Sequence, residues 1–390
     1  MFGTARRWSV GVILLCAVAL TGACSSSTTT TTTTGGGTAA STGGGGGAGA
    51  AALETAYKGV LDTPPTTATK PKAGVNVWVV SCGEAVPSCS TVTAAAMEAA
   101  QAVGWTANKC DGKLNPGDWG ACIRQAISGK ANVIIPMGID CPAVQAPVQE
   151  AIAAGIKVVG GGGADCAAAG GAKLFASERL QLQGLSIEQY WNLNGKLQAD
   201  YLIGKTNGAA KVLLLTFTDP LWGPWIADGF KKELATCSGC SIVANLEIAN
   251  NDFNANTAAS KFSTALLQNP TANAVAVPVG GWMLGGLSQA VMSSGRFPAQ
   301  LTVVTGFGDA SSMDLVRNKQ GQNAVVGYAT PWGAYGSIDT AIRLLNGEAP
   351  QVQGDGMLII DADHNLPAAG KDYEGNVDFK AAYKKLWGIG

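Results

Sequence analysis

Residues 131–163, ANVIIPMGIDCPAVQAPVQEAIAAGIKVVGGGG, carry the pattern on which the fold turns. ANVIIPM (131–137) is a short apolar run, as expected of a strand covered on both faces, which has no polar side to alternate with. PAVQAPVQEAIAAG (142–155) spaces its apolar residues as a helix and stops on glycine. IKVVGGGG (156–163) is a second strand running into four glycines. A strand, a helix and a strand in so few residues make a crossover unit, and crossovers join parallel strands.

The same rhythm extends both ways. Upstream come VNVWVVS (75–81), the helix STVTAAAMEAAQAVG (90–104) with Ser90 as N-cap, the strand WTANKC (105–110) and a helix over 117–128. Downstream a helix over 187–204 leads to AKVLLLTF (210–217), SIVANLEI (241–248), NAVAVPVG (273–280), LTVVTGF (301–307) and AVVGYAT (324–330), with helical stretches between them and a helix over 333–346. Alternation of this kind predicts an α/β protein. The series is too long for one sheet, so we expect two similar doubly wound parallel-sheet lobes.

In open α/β sheets ligands bind beyond the carboxyl ends of the strands. Those ends carry Ser81 and Glu84, Asp140, Gly160 to Gly163, Asp219, Gly281 and Trp282, Asp309, and Tyr328 with Thr330. Glycine at such places lets the backbone approach a ligand closely, although it also simply turns tight loops.

The first residues read differently. Arg6 and Arg7 precede an apolar stretch, Trp8 to Leu20, that is too short to span a bilayer. Thr21-Gly22-Ala23-Cys24 follows, which resembles a bacterial lipoprotein signal (1–23) with a lipid such as palmitate on Cys24; Thr21 stands where the usual leucine would be. From Cys24 the Ser/Thr/Gly run has too few apolar side chains to order itself, and PPTTATKPK (64–72) reads as a proline-stiffened spacer. Residues 24–72 are therefore expected to be a flexible tether, with one or two helical turns near Leu53 to Val60. As a coil, Ser25 to Ala52 would reach roughly 30 Å.

Composition narrows the function classes. Net charge is −1 and charged residues are 14% of the chain, which leaves no basic patch for nucleic acid. Eight cysteines remain after Cys16 and Cys24, an even number in an exported chain, and so read as disulfides. Of the 105 pairings open to eight cysteines, sequence neighbours are favoured because each pair falls within one structural unit: Cys82–Cys89, Cys110–Cys122, Cys141–Cys166 and Cys237–Cys240. The only histidine, His364, lies far from every cysteine and gives no metal site or catalytic triad. GGGGADC (160–166) lacks the Lys-Ser/Thr of a phosphate loop. No enzyme and no cofactor is expected. DADHNLPAAGKD (361–372) has the first ligand positions of a calcium loop but Leu366 where glycine is needed, and reads as a loop of solvated charges.

Over roughly 73–350 the chain resembles a type I periplasmic solute-binding protein of the ribose/galactose-binding kind, an ABC-importer component. The resemblance rests on strand and helix order, on Asp228-Gly229-Phe230, on Trp282 to Leu287 after a strand, and on VVTGFGD (303–309). It implies an N-terminal lobe of 73–187 plus 331–355, a C-terminal lobe of 188–330 plus 356–390, and crossings near 185–190, 330 and 355. It further implies a solute held between the lobes, a permease as partner, a monomer, and membrane contact through the lipid alone at the extracytoplasmic face. The family's sugar-gripping charges fall here on Gly161-Gly162, on Trp222 to Trp225, and on Gly280 or Gly281, whereas Phe253 and Asp309 match. A cleft short of charged grips but rich in tryptophan implies a neutral, sugar-like or less polar ring solute, stacked on Trp222, Trp225 or Trp282. A receptor signalling to a membrane kinase is the alternative. A DNA-binding regulator of this fold would need a helical head where the signal stands.

Overall fold

The apolar runs form two sheets in the computed structural model, which describes residues 44–390. The signal-like segment, Cys24 and the tether as far as residue 43 lie outside the described residues. The first sheet holds β1 (Asn76–Ser81), β2 (Thr106–Asp111), β3 (Val133–Pro136) and β4 (Lys157–Val158), parallel and in the order β2-β1-β3-β4. The second holds β5 (Lys211–Phe217), β6 (Ser241–Ile248), β7 (Ala274–Val277), β8 (Thr302–Thr305), β9 (Ala324–Tyr328) and β10 (Met357–Asp361), in the order β10-β9-β8-β7-β5-β6. Only β10 runs antiparallel, against β9.

Helices cover both faces of each sheet, which is why β1, β3, β7 and β9 are apolar almost throughout. In chain order they are α1 (Gly44–Lys58), α2 (Pro87–Ala102), α3 (Pro116–Ser128), α4 (Gln145–Ala153), α5 (Ile187–Lys205), α6 (Trp222–Leu234), α7 (Asn250–Asn254), α8 (Ala258–Gln268), α9 (Leu287–Ser293), α10 (Ala310–Arg317), α11 (Thr330–Asn346) and α12 (Phe379–Trp387). In the first lobe, α2, α11 and α12 pack on one face and α3 and α4 on the other. In the second, α1, α5 and α6 cover one face and α8 and α9 the other. Capping is local: Asn115 Oδ1 accepts from Gly117 N at 2.8 Å, and Ser186 with Gln189 closes a capping box on α5. At α2 the expectation fails. The helix begins at Pro87, whose missing N–H is harmless there, and Ser90 Oγ turns back onto the Pro87 carbonyl.

The chain departs from the expected lobe boundaries in two places. Residues 44–72 are not a leash. α1 is a four-turn helix whose Ala56 and Tyr57 are buried in the second lobe, and residues 59–72 then run across to the first lobe. Composition misleads because α1 does not need a core of its own; it borrows one from α5. The C-terminal residues also divide. β10 joins the second sheet as expected, but α12 buries Phe379, Tyr383 and Trp387 against Trp332 and Tyr335 of α11 in the first lobe. Five segments therefore pass between the lobes within 59–378, two more than the resemblance implies. Asp361 is no solvated charge either: it is buried and held by Tyr57, Lys205 and His364.

All four neighbouring cysteine pairs are disulfide-bonded, three in the first lobe and one in the second.

Candidate functional site

The two lobes meet at Asp140. This residue follows β3 and starts the turn into α4, so the crossover delivers its carboxylate to the carboxyl edge of the first sheet. Oδ1 accepts the Ala164 N–H at 2.7 Å and ties the Asp140 loop to the glycine loop after β4. Oδ2 accepts the Leu221 N–H of the second lobe, also at 2.7 Å, just ahead of Trp222. The Cys141–Cys166 disulfide holds the same two first-lobe loops together from behind. Burial pushes the Asp140 carboxyl up to about 6, against the two N–H donors, which favour its charged form.

Facing this contact is an aromatic wall built by α5, α6 and the strand ends of the second sheet. Trp191 lies 5.6 Å from Trp222, 5.4 Å from Phe307 and 5.8 Å from Tyr328, ring centre to ring centre, and Trp222 and Phe307 are 5.3 Å apart. Such spacings and tilts suit edge-to-face packing. Phe307 sits in the left-handed region with φ 55°, a conformation a bulky side chain adopts only when its surroundings enforce it.

Behind Tyr328 lies Arg179, wholly buried. Its guanidinium donates to the Tyr328 hydroxyl and stands 3.1 Å from Asp355. Burial alone would lower its pKa; Asp355, Tyr328 and Tyr190 together more than offset this and keep the cation charged. Gly162, at φ 105°, lies against the same guanidinium: a Cβ there would come within 3.7 Å of Nη1 and Nη2. Arg179 Nε and Nη1, Trp191 Nε1 and Asp309 Oδ2 are buried without hydrogen-bond partners.

The candidate residues thus sort into groups. Asp140, Gly162, Trp222 and Tyr328 come together at the lobe junction, with Thr330 Oγ1 3.5 Å from the Tyr328 carbonyl. Gly281, Trp282, Asp309 and Phe253 form a second group. It joins the first through Phe217, whose ring touches both Trp282 and Trp222. Asp309 caps α10 through Oδ1, and burial raises its carboxyl. Trp282 is 7% exposed between Phe217 and Phe253, which leaves little of its face free. Three residues are engaged elsewhere. Glu84 is taken by Lys109 of β2 at 2.5 Å, Trp225 packs against the second-lobe core, and Ser81 is fully buried at the end of β1.

Arg179, Trp191 and Phe307 went unread in the sequence. Arg179 adds a buried cation to a junction expected to be short of charged groups. It sits in SERLQLQG (177–184), outside any strand or helix, where no periodicity marks it. Phe307 stood inside VVTGFGD and was legible only as a motif letter.

Among curated proteins, none matches the sequence. The family profile of the periplasmic binding protein domain matches residues 87–349. Three solved structures share the fold at low identity. A solute-binding protein of an ABC transporter from Mycobacterium smegmatis with bound glycerol is 19% identical, with a TM-score of 0.63, and the match covers 78% of this chain and 99% of that one. One from Actinobacillus succinogenes with bound D-allose is 17% identical, TM-score 0.61, covering 74% and 98%. One from Bacillus halodurans with bound myo-inositol is 13% identical, TM-score 0.62, covering 76% and 96%. The architecture is that of type I periplasmic binding proteins, whose members bind solutes rather than transform them. With two wound sheets meeting at a glycine-rich junction and a profile match over most of its length, the chain belongs to the periplasmic binding protein family.

Proposed function

We propose that this protein captures a neutral, polyhydroxylated solute, a sugar or cyclic polyol, between its lobes and presents the closed form to an ABC-transporter permease. The carrying observation is the lobe junction. A buried carboxylate of one lobe bonds a backbone N–H of the other beside an aromatic wall. Arg179 Nη1 and Trp191 Nε1 beside it, and Asp309 Oδ2 in the adjoining group, are buried polar atoms with no protein partner. Buried polar atoms are as a rule hydrogen-bonded, and a solute with several hydroxyls and one apolar ring face supplies both kinds of contact. The bound D-allose and myo-inositol of two of these solved structures are of this class and support the reading. Attachment to the extracytoplasmic face through a lipid on Cys24 completes the proposal, resting on the sequence alone.

A thermal-shift screen tests it. D-allose, D-arabinose and myo-inositol are compared with glycerol, amino acids and alicyclic hydrocarbons. A solute at 100 times its Kd adds about 2.7 kcal/mol of stability, so a hit raises Tm visibly. At least one ring sugar or cyclic polyol should do so, and Trp222→Ala should weaken that binding roughly 10- to 100-fold. Stabilisation by amino acids or hydrocarbons, with none from any sugar or polyol, would overturn the solute class.

A further inference from the structure

The segment ahead of the first sheet is fastened at both ends, to different lobes. At its second-lobe end, Ala56 is buried and the Tyr57 hydroxyl donates to Asp361 Oδ2 at 2.6 Å. The Tyr57 ring stacks on His364 with centres 3.8 Å apart, and Asn365 Nδ2 donates to the Tyr57 carbonyl at 2.8 Å. Val60 and Met357 then exchange both backbone hydrogen bonds, at 2.9 and 3.0 Å, which extends the second sheet past β10. Gly356 makes this possible: a Cβ there would lie 1.9 Å from the Val60 carbonyl oxygen. At the first-lobe end the Thr67 carbonyl accepts from Arg343 at 2.7 Å and the Thr69 N–H donates to the Leu386 carbonyl at 3.2 Å. Asn346 Nδ2 donates to the Lys70 carbonyl at 3.0 Å, and Trp105 Nε1 to that of Lys72 at 2.9 Å. Between these ends, the Asp62 N–H donates to the Gly354 carbonyl at 3.3 Å and Pro64 is buried, while Asp62 to Thr67 border a groove of about 370 Å³ against Pro350 to Val352, so the segment runs along the 350–354 crossing.

We propose that residues 49–72 are an interlobe tie that limits how far the cleft opens. Opening rotates one lobe against the other about the crossing segments. A chain attached to both must then stretch or let go at one end. Its middle holds Pro64-Pro65, whose rings fix φ and leave that stretch little freedom to rearrange. The tie is seated in the arrangement in which Leu221 N meets Asp140, so its contacts belong to the closed form and raise the closed population before any solute arrives. By the same linkage, losing the tie weakens apparent solute affinity in proportion to the closed fraction lost. The proposal rests on the two-lobe closing motion of the preceding section but makes no use of the solute.

Solute-free full-length protein tests it by hydrogen exchange at the Leu221 amide, with small-angle scattering for overall opening. Ala56→Arg frees the second-lobe end and Thr69→Pro the first-lobe end; neither touches the junction. Each alone should speed exchange at Leu221 several-fold and raise the radius of gyration. If each variant speeds exchange only around its own end and Leu221 is unchanged, residues 49–72 are a local covering and the proposal falls. Should either variant fail to fold, Tyr57→Phe and Asn346→Ala loosen the same ends more gently, with the same two outcomes. Because no solute is added, a wrong solute class leaves this test intact.

Discussion

Arg179 shows how much one side chain can decide without announcing itself in the sequence. Its charge is buried, countered by Asp355 at 3.1 Å and shared with the Tyr328 hydroxyl. Removing one member of a buried pair strands the other, at a cost of about 3–5 kcal/mol. Arg179→Ala should therefore lower the unfolding free energy by that much, read as a lower urea midpoint at an unchanged m-value. Arg179→Lys should also destabilise, because an ammonium cannot reproduce the planar fork that meets Tyr328 and Asp355. A loss below about 1 kcal/mol in Arg179→Ala would mean that the pair is not a fixed part of the fold. The tryptophans make the opposite point. Trp222, Trp225 and Trp282 were legible as aromatic residues at strand ends, but which of them lines the junction depended on neighbours far away in sequence, Trp191 and Phe307 above all.

Elements were read more reliably than their surroundings. The strand–helix–strand pattern of 131–163 appears as β3, α4 and β4 because buried parallel strands and their crossover helix leave a strong local imprint. Its disulfide is legible too, and it makes a testable statement. Cys141–Cys166 closes a separation of 25 residues and holds the Asp140 loop to the glycine loop. On the chain-entropy account its loss costs about 3–4 kcal/mol. The double variant Cys141→Ala/Cys166→Ala should lose that much in urea unfolding and weaken solute binding as well. The Cys237–Cys240 pair, separated by three residues in the second lobe, should affect stability less and binding not at all. Equal effects from the two pairs would count against a role for Cys141–Cys166 in shaping the junction. α1 and α12 are where element reading ran out. α1 opens on a glycine run that looks unfit for a helix, and α12 gives no local sign of the lobe it joins.

At the scale of the molecule, the proposed closing motion makes pH act on the lobes through Asp140. Burial raises this carboxyl from 3.8 to about 6 in the closed arrangement, so the closed form holds the proton more tightly than an open form with a hydrated side chain. The closed population should be highest at the acid end. It should fall as pH rises from 3.8 to about 6, by up to roughly tenfold per pH unit, and stay level above. Leu221 amide exchange, corrected for its intrinsic pH dependence, reads this directly. In Asp140→Ala the two N–H groups lose their acceptor, so the cleft should open more at every pH and the dependence should flatten. Closure that strengthens with rising pH over this window would reverse the assignment.

The sequence alone determined the α/β class, the two series of wound strands, the glycine-lined strand ends and the neighbouring cysteine pairs. These are local patterns, set by periodicity and by turn chemistry over a few residues. Only the tertiary structure decided that α1 and residues 59–72 bind the body, that α12 returns to the first lobe, and that Asp140, Arg179, Trp222 and Phe307 share one junction. Burial is a property of what packs on a segment from elsewhere in the chain. A glycine-rich helix or a lone arginine therefore acquires its role only when a distant surface closes over it.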